Sequence, residues 1–148
     1  MILTTHILSG AALGASVKNP YAVAGLAVIL HFMLDIFPHG DYLNKKSRLR
    51  EFWKVAVDIA IGLGIVAAVF SQNPTLEKNN IVVGVFFSLI PDGTTFLYIW
   101  MKIKFFKPLK DFHEHLHYYK NGELGREFRL GNNLWDVLFS LISLIFLI

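Results

Sequence analysis

The 148 residues are 54% hydrophobic and 14% aromatic, with a mean hydropathy of +0.49. That is more apolar than an ordinary soluble domain, for which about 45–50% is typical even counting Gly. The lack of Cys excludes disulfides and thiolate metal sites, leaving any metal to His and carboxylates, and a net charge of +3 is too modest to point to nucleic acid.

Residues 2–17 form the first apolar segment, about 24 Å long as a helix. It has no basic leader and is interrupted by His6, so it reads as a retained first helix rather than a secretory signal. Lys18-Asn19-Pro20 turns the chain into the second segment, 20–37. Within it, only His31 and Asp35 can charge near neutral pH; their i, i+4 spacing puts both on one helical face. An intramembrane Asp costs roughly 2.5–3.5 kcal/mol on insertion scales and needs a partner or a polar cavity. The run continues into Pro38-His39-Gly40-Asp41, so four potential metal ligands fall within eleven residues.

The third segment, 52–71, carries Asp58, with Lys54 one turn before it. The fourth, 80–104, is expected to break at Pro91-Asp92-Gly93. Residues 105–133 contain KDFHEHLHYY, and Phe105, Phe106, Phe112, Tyr118 and Tyr119 suggest an interfacial belt. This segment either folds over a site as a lid or lies flat on a membrane. Residues 134–148 form the last apolar segment. The fold expected is all-α: one membrane-embedded domain over 1–148, a polytopic bundle of about five apolar helices, with a broken fourth helix and a cytoplasmic amphipathic segment.

Twelve of the fourteen Lys and Arg cluster after the second segment or between the fourth and fifth, and only Lys18 and Lys78 lie opposite. The positive-inside rule places the clusters in the cytoplasm and the C-terminus outside. His6, His31, Asp35, His39, Asp41, Asp58, Asp92, His113 and His117 then converge near the cytoplasmic leaflet. Gly10-x-x-x-Gly14, and Gly62 four residues after Asp58, would let helices approach closely there. A weak repeat pairs residues 2–41 with 52–104: His6 precedes Pro38-His39-Gly40 much as Asp58 precedes Pro91-Asp92-Gly93. Duplication and coincidence both remain open.

His31 and Asp35 would place an imidazole and a carboxylate on one borderline metal such as Zn²⁺, and His113-x-x-x-His117 offers a second such pair. His113-Glu114-His115-Leu116-His117 also fits H-E-x-x-H, the zinc-protease pattern, in a stretch where His richness favours a chance match.

His6, HFMLDIFPHGD, IPDGTTFLY and FHEHLH together resemble small bacterial membrane-bound metal-dependent hydrolases, distantly similar to zinc-dependent phospholipase C. The His-Arg-Gly…Thr-His-Ser segment that many of these hydrolases carry is absent. The resemblance implies a helical inner-membrane hydrolase with one or two divalent ions, most simply zinc. It implies ligands at His6, His31, Asp35 and Asp92 and, less directly, His39, Asp58, His113 and His117. The expected reaction is hydrolysis of a phosphoester in a membrane lipid or other amphiphile. Asp41 or Glu114 is the expected proton acceptor, and Asp58 is a ligand or orients one. Arg50 is expected to attract anionic headgroups, and Lys54 to meet phosphate or to pair with Asp58. Rival readings are a proton or divalent-cation transporter or channel, an H-E-x-x-H protease, and a non-enzymatic scaffold subunit; a homo-oligomer stays open.

Overall fold

A computed structural model describes residues 1–43, 47–116, 119–120, 123–124 and 128–148. The apolar segments become α1 (Leu3–Ser16), α2 (Pro20–Asp35), α3 (Trp53–Gln72), α4 (Lys78–Ile99) and α6 (Leu134–Leu147); α5 (Lys107–Leu116) lies between the last two. Asn19 caps α2, its side-chain oxygen accepting from the Tyr21 and Ala22 N–H groups at 2.9 and 3.3 Å, with Pro20 at the first helical position. The fourth helix is not broken: α4 runs through Pro91 to Ile99. Proline removes one N–H from the ladder, and neighbouring helices support what remains.

α1 is the axis of the bundle, packed against α2, α3, α4 and α6, while α3 and α4 barely meet each other. Contacts along α1 give the directions: Asp58 and Asp136 lie at its start, and Gly84 and Asn80 lie beside Gly10 and Gly14. Thus α3 and α6 run with α1, whereas α2 and α4 run against it. The Gly10–Gly84 crossing is so close that a Cβ on either residue would strike the other's carbonyl oxygen. Toward the far end of α1, Ala11 and Ala12 pack with Val66, Ile81 and Leu147 in an apolar cluster.

Polar side chains are buried beside the apolar core, and many large apolar ones are exposed. Buried positions include Thr4, Thr5, His6, Ser9, His31, Asp35, Asp58, Ser88 and Asp136, while Ile29, Ile61, Val82, Phe86 and Ile145 are exposed. Leu49–Gln72 and Lys78–Ile99 are long and apolar enough to cross a membrane; α2 and α6 are shorter apolar helices. A bundle of five full spans is thus not what the described helices give. With 14 to 16 residues each, α1, α2 and α6 reach only about 21–24 Å, against ~30 Å of hydrocarbon.

Candidate metal centre

A helix start leaves its first N–H groups without partners inside the helix. No side chain at the start of α1 supplies a cap, and two carboxylates from distant helices do so instead. Asp58 accepts from the Leu3 and Thr4 N–H groups at 2.6 and 3.1 Å, and from the Thr4 hydroxyl at 2.6 Å. The Tyr42 hydroxyl donates to it at 2.7 Å; burial and the Asp58 charge push this phenol above its ordinary range, so it stays a donor. Asp136 accepts from the Ile2 N–H at 2.9 Å, the Thr5 hydroxyl at 3.1 Å and Asn133 Nδ2 at 2.9 Å. Negative charge here also suits the positive end of the α1 dipole.

Held in this way, α1 presents His6 one turn in. His6 stacks on His31, with ring centroids 3.9 Å apart and planes 22° apart. Both His6 ring nitrogens are buried without a hydrogen-bond partner among the described residues. Nε2 does lie 3.2 Å from Asp35 Oδ1, but off the hydrogen-bonding direction.

Asp35 stands at the centre. Its Oδ1 accepts from the Met1 nitrogen at 2.7 Å. Its Oδ2 lies 3.0 Å from His31 Nε2 and 2.8 Å from His113 Nε2, and those two nitrogens are 3.2 Å apart. The far side of each imidazole is anchored. His31 Nδ1 donates to the Ser88 carbonyl at 2.7 Å, which leaves Nε2 with its lone pair facing inward. Ser88 lies in the turn of α4 where Pro91 leaves the Phe87 carbonyl without its helical donor. His113 Nδ1 meets the Thr95 hydroxyl at 3.0 Å.

The three atoms His31 Nε2, His113 Nε2 and Asp35 Oδ2 form a triangle with edges of 2.8, 3.0 and 3.2 Å. Tetrahedral zinc with bonds of 2.0–2.1 Å has ligand–ligand edges of about 3.3 Å. Second-row partners on the outer nitrogens are what metal-ligating imidazoles normally have. The donor set therefore fits a divalent cation. A second group, His6, His31 and Asp92, likewise has ligand atoms within 4.8 Å of one another. The Asp92 side chain is 32% exposed, so it forms the open edge of a centre that is otherwise buried.

The sequence-expected ligands are thus divided. His6, His31, Asp35, Asp92 and His113 come together, whereas Asp58 and His39 belong to neither ligand group. Asp58 is engaged by α1 and Tyr42. His39 Nδ1 donates to the Phe37 carbonyl at 2.7 Å, and its Nε2 lies 3.8 Å from Asp41. His117 lies outside the described residues. Glu114 accepts from Lys110 at 2.6 Å, Lys54 pairs with Glu51 at 3.7 Å rather than with Asp58, and Arg50 is exposed. By carrying His113 onto α2 and α4, α5 folds over the cluster instead of lying apart from it.

Asp136, Ser88 and Thr95 were not anticipated as site residues. Asp136 had a signal, a lone acid three residues into an apolar helix and three after Asn133. The Ser88 carbonyl had none. No family model, curated protein or solved structure matches the chain.

Proposed function

We propose that this protein is a membrane-embedded, divalent-metal-dependent hydrolase acting on a phosphoester of a lipid or other amphiphile. The observation that carries the reading is the convergence of two imidazole Nε2 atoms and a carboxylate oxygen within 3.2 Å, beside a buried His6 with orphaned ring nitrogens. Imidazole nitrogens and a carboxylate oxygen are the donors that a borderline divalent cation takes. His31, Asp35 and His113 would hold the ion, most simply zinc; a second ion would rest on His6 and Asp92, because His31 has one lone pair to give. When bound, such an ion lowers the pKa of its water toward ~7 and polarises a phosphoryl oxygen.

The chain's own groups supply the rest. Asp92, at the open edge, accepts the proton of the attacking water. The Ser88 carbonyl and Thr95 hydroxyl keep His31 and His113 in their rotamers and tautomers. The exposed apolar flanks of α3 and α4 support residence in a multi-pass inner membrane, and the basic residues near the site end support a cytoplasmic-facing centre, with α6 ending outside. The apolar cluster filling the far half of the bundle favours a one-sided site over a conduction path.

Metal analysis of the purified protein after gentle reloading tests this. Wild type should hold about one or two equivalents of divalent metal, and the His31→Ala/Asp35→Ala variant should hold little. Equal metal in both, or none above background in wild type, removes the reading. Turnover of a generic phosphodiester against a casein substrate then separates phosphoester hydrolysis from proteolysis.

A further inference from the structure

One turn beyond Thr95 and His113 along the α4–α5 seam, a cavity of 380 Å³ is lined by Tyr98, Ile99, Lys102, Lys104, Lys110 and Glu114. That size is within the range of small-ligand sites. Three lysines and one glutamate are among its lining residues. Lys110 is committed, donating to Glu114 at 2.6 Å and sitting 5.5 Å over the Tyr98 ring. The Lys102 and Lys104 side chains have no hydrogen bond or ion pair among the described residues, and both residues are exposed.

The backbone adds an independent observation. Lys102 has φ of 59°, the left-handed region where glycine ends helices without strain, and the turn is closed by the Ile103 N–H on the Leu97 carbonyl at 3.2 Å. A long cation occupies the residue position where its backbone is least comfortable, at the rim of a cationic cavity. The flanking residues are apolar and open: Met101 is 59% exposed and Phe105 84%. Apolar side chains alternating with lysines at the end of a long apolar helix match a membrane–water boundary, where Lys stems lie in the apolar layer and their charges meet headgroups.

We infer that the cavity between the end of α4 and α5 binds the phosphate of an anionic lipid headgroup, with Lys102 and Lys104 as its free cations and Lys110 fixed at its wall. This rests on the membrane-embedded hydrolase reading and names its substrate class: an anionic phospholipid, delivered one helical turn from His113.

The test uses the full chain in neutral detergent, stripped of metal, titrated with dioctanoyl-phosphatidylglycerol, dioctanoyl-phosphatidylcholine and inorganic phosphate. Phosphatidylglycerol should bind saturably and more weakly as salt rises. Lys102→Gly and Lys104→Gln should each weaken it about fivefold, the scale of one basic residue at an anionic surface. Lys102→Gly should melt no lower than wild type, because glycine relieves the left-handed backbone, so its weaker binding is not unfolding. Inorganic phosphate should compete, but only at higher concentration than the lipid. Equal affinity for phosphatidylcholine, or unchanged affinity in both variants, overturns the inference. Phosphate binding as tightly as the lipid overturns the lipid source. Lysine-independent lipid binding together with wild-type metal content sinks this site and leaves the hydrolase reading standing. Lysine-dependent binding in a protein that takes up no metal does the reverse.

Discussion

Asp58→Asn is the most informative single change, because Asp58 was the acidic residue most readily mistaken for a ligand. Its two oxygens serve four donors: Oδ1 takes the Thr4 N–H and hydroxyl, and Oδ2 takes the Leu3 N–H and the Tyr42 hydroxyl. Asparagine turns one oxygen into an NH₂ group that must face two donors, whichever way the amide is flipped. Each hydrogen bond to a charged group is worth about 1.5–3 kcal/mol, so losing two bounds the cost at about 3–6 kcal/mol. We expect about 3 kcal/mol after the amide readjusts, a large share of a total that is typically about 5–15 kcal/mol. At roughly 3 °C per kcal/mol for a chain of this size, the midpoint should fall by about 10 °C. Tyr42→Phe removes one of the four bonds and should lower it by about 4 °C. Thermal unfolding in detergent, followed by circular dichroism at 222 nm, reads both. A midpoint for Asp58→Asn within about 2 °C of wild type would refute the capping role and return Asp58 to the list of candidate ligands.

Gly84→Ala should cost several kcal/mol or prevent assembly, since its Cβ would meet the Gly10 carbonyl; Gly64→Ala, with open space around it, should gain up to about 1 kcal/mol, both read by thermal unfolding. Thr95→Val should leave the fold intact while weakening metal binding about 10- to 100-fold, measured by competition with a chromogenic chelator. The Lys107 hydrogen bond holds the Asp111 carboxyl below its ordinary range, and the Asp111 bond raises Lys107. The Asp111 contribution to α5 is therefore full above the unfolded value near 3.8 and lost as pH falls through the lowered folded value; that of Lys107 persists until pH rises beyond 10.5. A nitroxide label at position 115 should gain mobility as pH falls below 3.8 in wild type, and Asp111→Asn should reduce that pH dependence, leaving the part carried by Glu114 and Asp35.

Local signals in the sequence carried much of the architecture. Asn19-Pro20 marks the start of α2, the His31–Asp35 spacing puts both on a buried face, and Gly10-x-x-x-Gly14 marks the crossing with α4. Each depends on residues within a turn or two of one another. What stayed hidden depends on partners distant in the chain. Asp58 and Lys54 sit one turn apart, yet Asp58 is taken by donors 54 and 55 residues away and Lys54 turns to Glu51. Pro91 looked like a break because proline forbids one helical bond, but packing of α4 on α1 and α2 carries the helix past it. Asp92 and His39 occupy matching places in the apparent repeat, and only Asp92 reaches the cluster. Spacing alone does not state what a carboxylate will face.

The trans-capping of α1 has a consequence for how the protein is made. α1 leaves the ribosome before α3 and α6, as a 14-residue helix with two threonines, a histidine and a serine in its first seven residues. Its opening N–H groups wait for Asp58, and the Ile2 N–H waits for Asp136, which is synthesised 134 residues later. In a bilayer such a segment has little reason to settle alone. On the membrane-embedded reading proposed above, it would wait at the surface or in the insertion machinery until α3 and then α6 arrive. A nascent chain stalled before residue 136 should therefore carry all five clustered residues, His6, His31, Asp35, Asp92 and His113, without the Asp136 cap that fixes the start of α1.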